Sequence, residues 1–380
     1  MIRKFGGRNC WSFKEWCEIN FCINKNVPVE YGFNDVRVVP ALLFEGANAS
    51  GKTCALRILS FIASFCAVSF MEKPNDEIPF DTFFYNNDKS EFFVEFSLPD
   101  DVKTVYTYEL TLDRIRIYSE KIKKNKKTVF SRKENSVDKD LIFNFPQKII
   151  NLRSNASIIS TLMQYNIPTI KPFYEFFINI ISNVNYMGIE SYQEADSVAK
   201  MYYKFPDLLK KVVNKIKSFD TGIEDIEIIK ALTEEGKETF ISIFKHKTEE
   251  GIKNLRITSQ SMGTKILYKR LLDFYAAVER GGVLILDEID CHLHSFIIPE
   301  LLDFFLNPNN NINHAQIIFT AHDSSLLDFM KKYRTYLFAK ENGESFCYRI
   351  DELPNNIELR NERPLEPIYK TGLLGGIPRV

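Results

Sequence analysis

One stretch, Gly46-Ala47-Asn48-Ala49-Ser50-Gly51-Lys52-Thr53, limits what this chain can fold into more than any other: it meets every fixed position of the phosphate-loop pattern G-x-x-x-x-G-K-[ST]. Its flanks agree with it. The apolar run Val38–Glu45 before it reads as a buried strand, and Cys54–Phe61 after it reads as a helix, so strand, glycine loop and helix come in the required order. Gly46 and Gly51 take backbone angles that let loop N–H groups face phosphate oxygens, and the helix start adds its positive dipole end. In this reading Asn48, Ala49 and Ser50 supply the rest of the cradle. Lys52 reaches the β- and γ-phosphates, and Thr53 ligates Mg²⁺.

A second stretch supplies what such a loop lacks. Gly282–Leu286 is an apolar run ending in Asp287-Glu288, the pattern of a buried parallel strand that delivers carboxylates at its C-terminal edge. Asp287 is expected to bind Mg²⁺, directly or through water, and Glu288 to orient and deprotonate the attacking water. A further strand, Gln316–Thr320, ends at Ala321-His322, which makes His322 a candidate sensor of the γ-phosphate. Between these, Thr258–Lys265 leads into a helix expected over Ile266–Val278; polar residues and a glycine at a helix start form an anion site or an ordinary cap.

The remaining chain is read around these motifs. Lys plus Arg is 49 against 50 for Asp plus Glu, net charge −1, so no global field favours nucleic acid or a membrane. The seven cysteines contain no CxxC pair, which fits reduced thiols in a cytoplasmic protein and argues against a zinc site or zinc hook. The N-terminus lacks the apolar core of a signal peptide. The longest apolar helix, about Leu56–Phe70, is expected to fall short of the ~20 residues that span a bilayer.

Residues 1–45 read as a β-rich lead-in, with strand formers at Cys10–Phe13 and Glu18–Ile23, preparing an edge of the sheet. A polar link (72–79) leads to an antiparallel meander at 92–98, 104–112 and 114–118. The tip from 118 to 130 carries Lys121, Lys123, Lys124, Lys126 and Lys127. It either touches nucleic-acid phosphates or guards a sheet edge as a solvated loop, and the lack of interleaved aromatic residues favours the second. Helical periodicity is expected at 157–163, 173–181 and 208–216, then a hairpin at 226–229 and 239–244. The domain reading is an N-terminal lobe at 1–148, a helical insertion at 149–220 and a C-terminal lobe at 221–380.

Taken together the motifs resemble the ABC-type ATPases of the SMC, RecF and RecN kind, and more narrowly AAA-family ATPases of phage-defence operons such as the ATPase halves of the PARIS and AbiL systems. The resemblance rests on Asn9–Lys14, the phosphate loop, Ser261-Met262-Gly263-Thr264 as a degenerate signature, Leu286–His294 as Walker B and D-loop, Phe319–His322 as the switch, and the tail Ile368–Pro378. It implies a P-loop NTPase fold of ABC-ATPase head type, α/β, with a mixed core sheet, an antiparallel β subdomain and a helical insertion. It also implies hydrolysis of ATP to ADP and phosphate with Mg²⁺. Two heads would sandwich ATP in a homodimer or higher homo-oligomer, Ser261 and Gly263 acting in trans and Asp290 coupling the sites.

The signature lacks the full Leu-Ser-Gly-Gly-Gln pattern, and no Gln lies between 54 and 146, so the Q-loop position is unassigned. His292 and His294, separated by Leu293, fit interface packing better than a metal. The 58 residues after His322 hold no acidic cluster for a two-metal nuclease. The implied role is a sensor or scaffold in abortive infection, with a phage component as trigger and a separate effector, a nuclease or toxin encoded nearby. The alternative is a RecF- or SMC-like repair ATPase that clamps duplex DNA.

Overall fold

The computed structural model describes residues 1–33, 36–146, 150–189, 194–219, 221–354, 359–361 and 363–377. The expected lobe boundaries at 148/149 and at 220, and Pro378 of the tail, lie outside the described residues. The chain divides into two compact units, 1–190 with 277–289 and 305–380, and 191–276 with 290–304.

In chain order the first unit begins with β1 (Ile2–Arg8) and β2 (Cys17–Asn20), then β3 (Ala41–Gly46) and α1 (Lys52–Val68). It continues through the strands β4 (Ser90–Leu98), β5 (Asp101–Leu112), β6 (Ile117–Lys124), β7 (Lys127–Lys133) and β8 (Ser136–Asp140), and the helices α2 (Ile158–Gln164) and α3 (Lys171–Ile178). Three short strands follow, β9 (Ile180–Ser182), β10 (Val184–Asn185) and β11 (Gly188–Ile189). The second unit holds α4 (Ala195–Lys204), α5 (Pro206–Lys217), β12 (Ile223–Leu232), β13 (Glu238–Thr248) and β14 (Gly251–Arg256). Then come α6 (Met262–Arg280), β15 (Val283–Leu286), α7 (Ile297–Leu306), β16 (Gln316–Thr320), α8 (Leu326–Met330), β17 (Thr335–Glu341), β18 (Glu344–Arg349) and α9 (Glu366–Lys370).

The core sheet runs β18-β17-β3-β16-β15-β9. β3 is parallel to both β16 and β17, and β15 is parallel to both β16 and β9, with Leu43 opposite Phe319 and Leu286 opposite Phe319 from the other side. β3, β15 and β16 are buried on both faces, which is why they read as unbroken apolar runs rather than alternating ones. The order sets the C-terminal ends of β3, β16 and β15 side by side, and those ends carry the phosphate loop, His322 and Asp287-Glu288.

A second sheet, β2-β1-β4-β5-β6-β7-β8, is antiparallel. α1 lies against strands of both sheets, with Phe61 packed on Phe92 of β4 at 4.8 Å between ring centroids. With the 3₁₀ turn Ser69–Met71 this helix runs 20 residues, Lys52–Met71, so it is not too short to cross a membrane as expected; yet most of it, from Ala55 to Ala67, is buried inside the unit.

Several expectations shift. β1 and β2 belong to the second sheet and not to the core sheet, with β2 at its edge, and Cys10–Phe13 is a tight bridge with Trp11 at φ +48°. Residues 114–116 turn before β6 instead of forming a strand. Lys121, Lys123 and Lys124 belong to β6 itself; Lys123 pairs with Glu109 and the Lys124 ammonium stands 5.9 Å from the Tyr106 ring. The stretch read as one helical insertion is split: α2 and α3 pack on α1, and β9 joins the core sheet, while α4 and α5 belong to the second unit. There α4 covers β13, and Tyr268 of α6 shares a 2.7 Å hydrogen bond with Ser242.

Candidate functional site

The loop after β3 turns through Gly46 (φ +149°) and Ala49 (φ +61°) to Gly51 (φ +110°), which precedes α1 with no side-chain cap. The first-turn N–H groups of α1 are therefore left for an acceptor from outside the helix, which is what an anion at a helix start supplies. Gly51 has a further constraint. A Cβ there would stand 2.6 Å from Ser345 Oγ and 2.7 Å from Ser345 Cβ, so β18 packs against the loop through the space a side chain would need. Ser50 is buried, while Asn48 and Ala49 are exposed.

Lys52 folds back over its own loop, donating to Gly46 O at 2.5 Å and Ala47 O at 3.1 Å. Desolvation lowers its pKa from the ordinary lysine value, and the carboxylates of Glu45, Asp287 and Glu288 pull it back up.

Asp287, at the end of β15, is buried and both its carboxylate oxygens accept hydrogen bonds: Oδ2 from Thr53 Oγ1 at 2.6 Å, Oδ1 from Thr320 Oγ1 at 2.5 Å. The Thr320 hydroxyl in turn accepts from the Glu288 N–H at 2.7 Å. Glu288 sits at φ +54°, a strained angle for a glutamate, and its Oε1 lies 3.4 Å from His322 Nε2. A cavity of about 540 Å³ is lined by Ser12, the loop from Asn48 to Cys54, Asp287, Glu288, Thr320, His322 and Lys340. The hard oxygen pair of Thr53 and Asp287 suits Mg²⁺, which takes few protein ligands and completes its shell with water and phosphate.

A family described as "AAA domain, putative AbiEii toxin, Type IV TA system" matches residues 45–328. The chain belongs to that family. No curated protein matches its sequence. Among solved structures, an SMC head bound to the C-winged helix domain of ScpA superposes with a TM-score of 0.52 at 14% identity, over 92% of this chain and 99% of that one. An SMC head domain from Thermotoga maritima gives 0.45 at 13%, over 92% and 98%. The protein cbiO1 of an ABC transporter complex from Clostridium perfringens gives 0.33 at 12%, over 98% and 96%. The fold of this AbiEii-type AAA domain is that of a P-loop NTPase of the ABC-ATPase head type.

The first unit thus brings together Gly46, Asn48, Ala49, Ser50, Gly51, Lys52, Thr53, Asp287, Glu288 and His322. Ser261 and Gly263 belong to the second unit. There Ser261 is exposed and its hydroxyl accepts from the Thr264 N–H at 3.2 Å, capping α6, and a Cβ on Gly263 would meet His292 O at 2.9 Å. Among the described residues no group of three or more His, Cys, Asp or Glu gathers as a metal site.

Three contributors to the site have roles that the sequence reading does not assign. Asn183 follows β9, the strand beside β15, and clasps the Asp287 backbone: Asp287 N–H donates to Asn183 Oδ1 at 2.8 Å, and Asn183 Nδ2 donates to Asp287 O at 3.0 Å. The sequence signal was there in the β-branched pair Ile180-Ile181, hidden because the helix expected over 173–181 ends at Ile178. Thr320 was read as a strand end, although its hydroxyl links both acids. The tail was read by resemblance; in the structure Gly376 O accepts from the Ala47 N–H at 2.8 Å, and the Tyr348 hydroxyl holds Leu374 O at 2.6 Å.

Proposed function

We propose that this protein is an ATP-binding and hydrolysing head that acts as a sensor or scaffold in anti-phage defence and controls a separate effector. The observation that carries the chemistry is the hydrogen-bonded series Thr53–Asp287–Thr320–Glu288, which ties the phosphate loop to the candidate base. In this reading the loop N–H groups and Lys52 bind the β- and γ-phosphates, and Glu288 takes a proton from the water that attacks the γ-phosphorus as the bond to the β-phosphate oxygen breaks. Mg²⁺ held by Thr53 and Asp287 would neutralise charge on the phosphate oxygens. His322 orients Glu288 and senses the γ-phosphate.

Ser261 and Gly263 complete the site of a second copy, so that two heads close on ATP as a homodimer or within a higher homo-oligomer. The exposed helix start at Ser261, with Met262 also half exposed, supports that use. The defence role is supported by the family, whose description names a putative AbiEii toxin and a type IV toxin–antitoxin system. The test is phage plating on cells carrying the gene and its neighbours, with Lys52→Ala and Glu288→Gln compared with wild type and with affinity capture before and after infection. Protection lost in both variants, with a nuclease or toxin released from wild type on infection, is expected. Equal plaquing with and without the gene overturns the defence reading, and ATPase activity stimulated by duplex DNA and abolished by moderate salt would favour the repair clamp instead.

A further inference from the structure

Two thiols meet where strands β2 and β18 touch. Cys17 Sγ and Cys347 Sγ are 3.8 Å apart although 330 residues separate them in sequence, and Cys17 is buried while Cys347 is half-buried. Ser345, Cys347 and Arg349 alternate along one face of β18, and each is joined to the N-terminal segment. The Ser345 N–H donates to Ser12 O at 2.8 Å, and Arg349 Nη1 donates to Asn20 O and Cys22 O, each at 2.9 Å. Those bonds hold the two strands so that the thiols between them stay in contact. The same face carries Ser345 against Gly51 of the phosphate loop.

The reading of the nucleotide site makes no use of either thiol. We propose that Cys17 and Cys347 form an oxidative modification site, in which a hydroperoxide converts the thiol pair into a disulfide that ties β2 to β18 beside the phosphate loop.

The chemistry balances in two steps. The half-buried Cys347, as its thiolate, attacks the terminal hydroperoxide oxygen; an S–O bond forms as the O–O bond breaks, the sulfur is oxidised to a sulfenic acid, and the alkoxide, or hydroxide from hydrogen peroxide, takes up the proton that the Cys347 thiol released and leaves as an alcohol or as water. The Cys17 sulfur then displaces hydroxide from the Cys347 sulfenic acid, an S–S bond forms as the S–O bond breaks, and the hydroxide leaves with the Cys17 proton as a second water. Burial pushes the Cys17 thiol well up from its ordinary pKa and so disfavours its thiolate, which leaves the first attack to the more exposed Cys347; the 3.8 Å contact is what places Cys17 to resolve the sulfenic acid. Cys10 and Cys54 lie near enough to act on Cys17 electrostatically, so they are the competing partners.

The test is to treat the full chain with a small excess of hydrogen peroxide and count thiols after denaturation. The count is expected to fall from the seven of the sequence by two and to return to seven with dithiothreitol. A non-reducing peptide map should hold one linked pair, Cys17 with Cys347. In Cys17→Ser the Cys347 sulfenic acid has no resolving thiol and dimedone traps it; in Cys347→Ser no dimedone adduct forms at Cys17. Seven thiols after treatment, a linked peptide through Cys10 or Cys54, or dimedone labelling at Cys17 would each overturn the proposal, and the wild-type map alone suffices if a variant does not fold.

Discussion

Replacing Thr320 by valine keeps the shape of the side chain and removes a hydroxyl that serves both acids of the site. Thr320 is buried, donating to Asp287 Oδ1 at 2.5 Å and accepting from the Glu288 N–H at 2.7 Å. Loss of the acceptor strands a backbone donor at a cost of about 1–3 kcal/mol, so Thr320→Val should unfold at a temperature a few degrees below wild type. Loss of the donor removes a hydrogen bond to a carboxylate, worth roughly 1.5–3 kcal/mol. If that bond holds Asp287 and Glu288 in the reacting geometry, kcat for phosphate release falls roughly 10- to 100-fold while ATP binding, which uses the loop, changes little. Thr320→Ser retains the hydroxyl and should recover most of the rate. The assay is phosphate release at saturating ATP, with nucleotide affinity and thermal unfolding measured on the same preparations. Wild-type turnover in Thr320→Val would refute the argument, and so would a loss confined to ATP affinity.

Three other outcomes follow from the same geometry. Gly51→Ala forces a Cβ to within 2.7 Å of Ser345 in a backbone at φ +110°, costing about 1–3 kcal/mol for the contact and about 1–3 kcal/mol for the strain, and should abolish nucleotide binding as read by fluorescent-nucleotide titration. Asn183→Ala removes both hydrogen bonds to the Asp287 backbone and should lower kcat by about tenfold with a smaller change in ATP affinity, measured by steady-state kinetics. Because desolvation lowers the Lys52 pKa in the folded protein, the unfolded chain binds more protons between that lowered pKa and the ordinary lysine value. Wild type should therefore gain stability relative to Lys52→Met as pH rises through that window, checked by urea unfolding at a series of alkaline pH values, and an opposite slope would contradict the assignment.

What could be read from sequence divides along physical lines. The phosphate loop and β15 were legible because their chemistry demands fixed residues at fixed spacing, and β3, β15 and β16 announce burial on both faces by unbroken apolar runs. β9 was not legible: a three-residue strand carries no periodicity, and a phenylalanine-rich helix ends two residues before it. Asn183 went unseen with it, since its role depends on lying beside β15, 104 residues away in sequence. Thr320 was visible as a residue but not as a link, because a hydroxyl between two acids exists only once β15 and β16 pair. The same holds for Gly376, whose carbonyl reaches the phosphate loop through a tail that folds back across 329 residues of chain. The lysines of β6 show the reverse case, since a charge run read as a loop tip is built into a strand and partly neutralised.

On the proposed function the phosphate loop is half of a site which a second copy completes. Glu288→Gln should bind Mg²⁺·ATP without turning it over, and light scattering should then find twice the mass seen without nucleotide. Adding Ser261→Arg to that protein should return the mass to that of the monomer while ATP binding persists. A Glu288→Gln protein that binds ATP and keeps the same mass with and without it would contradict the claim.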